Sequence, residues 1–271
     1  MTTTLSMGVI GVGNMGSALV RGIVRAGVLP AGQIVVADAI ADRASALAQE
    51  LGVEAAGSSA EVAARSQYLV LAVKPGTIEP LLGELASALT PDHTVVSIAA
   101  GVPMSRMRRA LGDARPALVR VMPNTPALVG AGMFAVTAPE VPAERVEFLR
   151  RVFSALGRVV EVEERMMDGV TGLSGSGPAF VFVMIQALAD GGVAAGLPPA
   201  VASELAVQTV LGAAKLVQET GEHPEALTDA VASPGGTTIA GLAVLERAGF
   251  RGTIVAAVRA AAARSAELSE G

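Results

Sequence analysis

Cysteine and tryptophan are absent from this 271-residue chain, tyrosine occurs once and histidine twice. Without cysteine there is no disulfide and no thiolate nucleophile, which fits a cytoplasmic protein. His93 and His223 stand far apart with no cysteine to help them, so no metal site is expected. With so few aromatics, the core of a chain that is 51% hydrophobic must be aliphatic. There is no long basic run, and the formal net charge is -5. Nucleic acid and anionic membranes are therefore not expected as partners. The opening stretch, Met1 to Ser6, lacks the charged-then-apolar profile of a secretion signal. The longest apolar run, near Phe180–Ile185, is broken by Gln186 and Asp190. A spanning helix needs about 20 apolar residues, so none is expected.

What is present has two textures. The first half alternates short β-branched runs with amphipathic helical stretches. Strands are expected at Met7–Val12, Ile34–Ala37, Tyr68–Val73, Thr94–Ile98 and Ala117–Val121. Helices are expected at Ser17–Arg25, Ala41–Leu51, Pro103–Leu111 and Ala143–Ala155. Met133–Val136 and Val159–Val162 read as edge strands. Such alternation predicts an α/β fold with βαβ units and a mostly parallel sheet. Right-handed crossovers then put the loops that follow the strands on one edge, where ligands bind. After Glu164 the strand signals stop. Long Ala/Val/Leu segments follow at Gly177–Ala195, Pro198–Gly221, Thr237–Arg247 and Thr253–Leu268. The domains are thus 1–163 and 164–271. A helical half this apolar exposes too much oily surface as a monomer, which predicts a homodimer or larger assembly through the residues after Glu164.

Gly11-Val12-Gly13-Asn14-Met15-Gly16 matches G-x-G-x-x-G between a strand and a helix, the context that dinucleotide binding requires. Asp38 closes the second strand about 20 residues further on. An acid there binds the ribose hydroxyls of NAD and repels a 2′-phosphate. It serves equally as a helix cap, and Arg43 stands within reach of a phosphate, so the residues lean towards NADH without excluding NADPH. Lys74-Pro75, Ala99-Ala100-Gly101 and Met122-Pro123-Asn124-Thr125-Pro126 each follow a strand on the ligand-binding edge. Lys74 reads either as a general acid or, before Pro75, as a backbone contact to ribose. Near the other end, Ser233-Pro234-Gly235-Gly236-Thr237-Thr238 precedes an apolar-periodic run. It reads as a tight inter-helix turn or as an anion seat at a helix start, with Ser as a cap and Pro in the first turn. Ser176 reads as the cap of the helix after it, His223-Pro224 as a helix start, and His93 as solvated.

On these segments the chain resembles the pyrroline-5-carboxylate reductase family. The matching stretches are Ile10 to Gly16, Ala72-Val73-Lys74-Pro75, Ser97 to Gly101, Met122 to Pro126, Thr171 to Phe180, Asp229 and Ser233 to Thr238. The resemblance implies a Rossmann-type domain followed by an all-α dimerisation domain, with dimers assembling to a decamer. It implies reduction of 1-pyrroline-5-carboxylate to L-proline, the last step of proline biosynthesis, with NADPH or NADH. Ile10, Gly11, Val12, Gly13, Asn14 and Met15 would hold the cofactor pyrophosphate. Ala72 to Pro75 would hold the ribose side, and Ile98, Ala99 and Ala100 the nicotinamide. Gly236, Thr237 and Thr238 would bind the substrate carboxylate and ring nitrogen, Thr238 as the catalytic contact. Glu164 matches an acid near that nitrogen, although its acidic run also reads as a solvated strand end. Asp38 replaces the Ser or Thr common in NADPH-using members, and Ser59 stands where some members carry an Asn near the ribose. Two other readings compete. One is a β-hydroxyacid dehydrogenase or imine reductase of another substrate, which would need a Lys or Asp acid on the helical domain. The other is a dinucleotide sensor without catalysis, for which the second turn would be superfluous.

Overall fold

The computed structural model describes residues 6–270, so the leader expectation for Met1–Leu5 lies outside the described residues. The chain divides into two compact units. One is Met1–Gly175 joined by Ala260–Gly271, and the other is Ser176–Arg259.

The first unit is built on eight strands: β1 (Met7–Ile10), β2 (Ile34–Ala37), β3 (Glu54–Ala55), β4 (Tyr68–Leu71), β5 (Thr94–Ser97), β6 (Ala117–Met122), β7 (Gly132–Thr137) and β8 (Gly157–Glu161). Their order in the sheet is β3-β2-β1-β4-β5-β6-β7-β8. Every pairing is parallel except β6 with β7. Helices α1 (Asn14–Arg25), α2 (Ala41–Leu51), α3 (Ser59–Ala64), α4 (Pro75–Leu85), α5 (Met104–Ala110) and α6 (Ala143–Ser154) connect them. The period of two sorts the strand residues between two cores. Val9, Val36, Val70, Val96 and Val119 belong to one, with Phe134 and Phe153. Ile10, Val35, Leu69, Leu71, Val95 and Leu118 belong to the other. Both faces are covered, which is why these strands read as unbroken apolar runs. The order reverses between β1 and β4, and the crevice at such a reversal is where open α/β sheets bind ligands.

Three expectations need correction here. Met133–Val136 falls in β7, which is hydrogen-bonded on both sides, to β6 and to β8, and is no edge. The antiparallel return from β6 inserts it inside the sheet. His93 is no solvated bystander. Its Nδ1 accepts from the Thr90 N–H at 3.0 Å and its Nε2 lies 3.2 Å from the Ala63 carbonyl, bracing two loops at the start of β5. The expectation of no helix of spanning length also fails. The helical run Glu164–Ala194 and the helix Pro199–Thr220 each have a mean hydropathy of 1.4 and suffice by length and composition. A polar residue or two, such as Gln186 and Asp190, does not interrupt an apolar average.

After β8 the chain is helical, which agrees with a change of texture at Glu164. The first unit continues through α7 (Met167–Val170) and a π-helical turn, Thr171–Gly175. The second unit holds α8 (Gly177–Ala194), α9 (Pro199–Thr220), α10 (Pro224–Val231), α11 (Thr237–Arg247) and the first part of α12 (Phe250–Glu270), up to Arg259. α8 and α9 pack closely through small residues, and a methyl on Gly192 would sit 3.1 Å from the Ala202 Cβ. Only Ala189, Ala202 and Ala206 of this unit's apolar residues are buried, whereas Phe182 is 62% exposed and Val183 71%. Four helices and part of a fifth with so little interior do not make a stable body alone.

Candidate active site

The first unit brings together the residues expected around a dinucleotide. β1 ends at Ile10, and Gly11 then turns the chain with φ 92°, its N–H donating to the Ala37 carbonyl at 2.8 Å. Val12 follows, Gly13 is the N-cap of α1, and Asn14, Met15 and Gly16 form its first turn. Gly11 and Gly16 are sealed against protein: an added methyl would meet the Ala72 carbonyl oxygen at 2.6 Å and the Gly11 oxygen at 2.0 Å, respectively. A methyl on Gly13 would meet nothing within 4 Å. The turn is thus closed behind and open in front. The first amides of a 12-residue helix have no helical acceptor and face that opening. This is a cradle that fits a pyrophosphate.

Asp38 follows β2, and its side chain is 9% exposed. One carboxylate oxygen accepts from the Val12 N–H at 2.8 Å and the other from the Ile40 N–H at 2.9 Å. Arg43 stands 3.9 Å away and is itself mostly exposed. A carboxylate has about four acceptor positions, so Asp38 keeps capacity for a ribose diol. Ala72 donates its N–H to the Ile10 carbonyl at 2.8 Å and begins the loop after β4. Val73 follows, the exposed Lys74 is the N-cap of α4, and Pro75 is its first residue. Ser59 is the first residue of α3; the cap is Ser58 instead, whose Oγ accepts from the Glu61 N–H at 3.2 Å. Ile98, Ala99 and Ala100 follow β5 on the same edge, with the Ile98 N–H on the Leu71 carbonyl.

Glu164 lies just past β8. Its Oε1 accepts the Met104 N–H at 2.6 Å and lies 3.3 Å from the Arg120 guanidinium. The acidic run is therefore not simply solvated: this carboxylate ties β6 to the start of α5. Sequence reasoning passed over Arg120, although a lone charge within the apolar strand Ala117–Met122 was a visible signal. Asn124 stands in one of the loops expected on the ligand-binding edge. Asn124 donates to the Ser174 carbonyl at 3.0 Å and accepts from the Met133 N–H at 2.8 Å, joining the loop after β6 to the π-helical turn. Such turns recur at functional sites because they displace backbone groups from the regular ladder.

The second unit holds Gly236, Thr237 and Thr238 together. The Gly236 N–H donates to the Ser233 carbonyl at 3.0 Å, with Pro234 and the left-handed Gly235 (φ 67°) between them. Proline followed by a left-handed glycine is the pattern of a type II turn. Ser233 is thus the first residue of a turn, and Gly236, with no side chain, is the N-cap of α11. This corrects the expected serine cap and first-turn proline. A methyl on Gly236 would strike the Ser233 Oγ at 2.3 Å. Here too a helix start of 11 residues is left uncapped, and its free amides suit a carboxylate. Ser176 does occupy the N-cap of α8, without a side-chain bond, and His223 caps α10 by accepting from the Glu225 N–H.

Two segments of the chain match family models, and full-length relatives match nearly all of it. Residues 164–268 match the family model for pyrroline-5-carboxylate reductase dimerisation. Residues 6–101 match that for coenzyme F420-dependent NADP oxidoreductases. The chain is 47% identical to the pyrroline-5-carboxylate reductase of Synechocystis sp., over 98% of this chain and 99% of that one. It resembles the solved pyrroline-5-carboxylate reductase of Coxiella burnetii at 34% identity and TM-score 0.93, covering 98% and 99% of the two chains. It also resembles the Plasmodium falciparum pyrroline carboxylate reductase, solved with NADP bound, at 30% identity and TM-score 0.87, covering 98% of each.

Proposed function

The chain belongs to the pyrroline-5-carboxylate reductase family, and from that premise we propose how its residues divide the work of reducing 1-pyrroline-5-carboxylate to L-proline. The protein is an NAD(P)H-dependent oxidoreductase. The observation that carries this reading is the likeness to named reductases over 98% of the chain, which takes in both uncapped helix starts.

The bound dihydronicotinamide supplies the hydride. The protein must orient the two reactants and favour positive charge on the imine nitrogen, because protonation there makes the C=N carbon electrophilic. The hydride forms the new C–H bond, the C=N π pair moves onto nitrogen as its lone pair, and the nitrogen stays in the ring as a secondary amine. No nucleophile is required. Ile10 to Gly16 cradle the pyrophosphate, Asp38 and Ser59 lie on the adenosine ribose side, Ala72 to Pro75 contact ribose, and Ile98 to Ala100 take the nicotinamide. Beside Gly236, whose N–H closes the turn on Ser233, the free amides of Thr237 and Thr238 bind the carboxylate, and charge-assisted bonds of this kind contribute about 1.5–3 kcal/mol each. The Thr238 hydroxyl contacts the ring nitrogen and relays its proton. Glu164 already uses Oε1 on Met104 and Arg120; its carboxylate pairs with the iminium N–H.

The boundary between cofactor and substrate halves is taken at Glu164. The enzyme is cytoplasmic, with no membrane or nucleic acid partner. It dimerises through the helical half, and the dimers assemble to a decamer. Asp38 favours NADH over NADPH. NAD(P)H oxidation with pyrroline-5-carboxylate, NADH and NADPH side by side, tests the activity and the preference together. NADH binding without turnover would favour a sensor instead.

A further inference from the structure

Arg120 occupies the middle of β6, with Leu118, Val119 and Val121 around it in sequence and its side chain only 6% exposed. In register it lies opposite Ser97 of β5 and Thr137 of β7, both buried and neither charged. A buried guanidinium is costly unless it is paired, and a buried ion pair as a whole often contributes no more to stability than apolar side chains in its place. Stability therefore gives little reason for an arginine here. Its ion-pair partner among the described residues is Glu164, through Oε1 at 3.3 Å. That same oxygen takes the Met104 N–H at 2.6 Å. Met104 is the first residue of α5, and Gly101-Val102-Pro103 alone separate it from Ala99-Ala100.

The loop is braced at both ends. At the strand end, Ile98 donates to the Leu71 carbonyl at 3.2 Å. At the helix end, the Arg120–Glu164 pair holds Met104. Over its middle, a methyl on Gly101 would lie 3.6 Å from the Leu268 Cβ, and the α12 segment that carries Leu268 is pinned by the Ser265 hydroxyl on Asp168 at 2.7 Å.

We propose that Arg120 is a positioning residue for hydride transfer: through Glu164 its buried guanidinium fixes the start of α5, and with it the Ile98–Gly101 loop that takes the nicotinamide. This rests on the functional reading above, in which Ile98 to Ala100 contact that ring. Arg120 touches neither reactant in this account. It sets the geometry in which they meet, and small displacements there cost rate steeply.

The test compares wild type, Arg120→Met and Arg120→Lys. NADH affinity is read from the fluorescence of the nucleotide, kcat and KM from steady-state oxidation with pyrroline-5-carboxylate, and the hydride step from the primary isotope effect with 4-deuterated NADH. Arg120→Met is expected to bind NADH within about threefold of wild type, because the pyrophosphate cradle is untouched. Its kcat falls by about 10- to 100-fold, its isotope effect rises, and Arg120→Lys recovers most of kcat. An unchanged kcat in folded Arg120→Met overturns the inference, as does a loss carried by NADH affinity with no rise in the isotope effect. If Arg120→Met does not fold, Arg120→Gln takes its place: a raised isotope effect supports the role and an unchanged one overturns it. Wild-type protein that binds NADH but leaves the imine unreduced overturns the functional reading, and this inference with it.

Discussion

At the scale of single residues, the negative charge of Asp38 is held by the backbone of the turn it serves. Val12 and Ile40 each donate to one of its oxygens, so the charge cannot swing away from an incoming 2′-phosphate. Asp38→Ser is expected to raise kcat/KM for NADPH relative to NADH by about tenfold, or about 1.4 kcal/mol. An unchanged ratio in paired assays would remove the electrostatic argument. Thr238 is free in a different sense. As the second residue of α11 it has no helical carbonyl four positions back, whereas Thr209 and Thr228 spend their hydroxyls that way. Thr238→Ala is expected to lower kcat/KM for the imine about 10- to 100-fold, one lost hydrogen bond to a charged group. Turnover equal to wild type would sink its role. The glycine turn that Asp38 caps was legible because its geometry depends on local spacing. The partner of Arg120 was not, since Glu164 lies 44 positions along the chain and only the folded sheet places them together. The bracing role of His93 was hidden for the same reason, with Ala63 30 positions away.

At the scale of elements, the start of α1 depends on two glycines placed for opposite reasons. Gly13 leaves space in front of α1, and Gly16 removes a clash behind it. Gly13→Ala is therefore expected to keep the wild-type melting temperature while weakening NADH binding. Gly16→Ala is expected to destabilise the fold itself by about 1–3 kcal/mol. Thermal melts with and without NADH separate the two, and identical behaviour would contradict the open-and-closed description of the turn. The sheet was readable from buried β-branched runs, and α2 and α11 fall where periodicity puts them. β3 was not, because two exposed residues carry no pattern. α4 was disguised by Pro75 and Pro80, the latter inside the helix. Proline marks a break by its missing N–H, yet the first turn of a helix tolerates it. The type II turn before α11 shows the converse error: Ser-Pro looked like a cap and first turn, but the left-handed Gly235 delays the helix to Thr237.

At the scale of the whole molecule, the helical unit is legible from composition as something that needs a second copy. Its apolar surface includes Phe182, Val183, Leu205 and Leu211, each more than half exposed in the single chain. The double variant Val183→Glu with Leu211→Glu is expected to shift the light-scattering mass towards monomer and to lower the melting temperature. An unchanged mass would place the interface elsewhere. Composition did not reveal that the closing segment of the chain belongs with its beginning. Ala260–Gly271 completes the first unit, where Ser265 bonds Asp168 across 97 positions and Leu268 covers Gly101. Synthesis runs in one direction, at about 5–20 residues per second. The nucleotide-binding half therefore leaves the ribosome several seconds before the segment that finishes it. During that interval the loop after β5 lacks its cover, and a chain cut short before Ser265 would keep it in that nascent condition permanently.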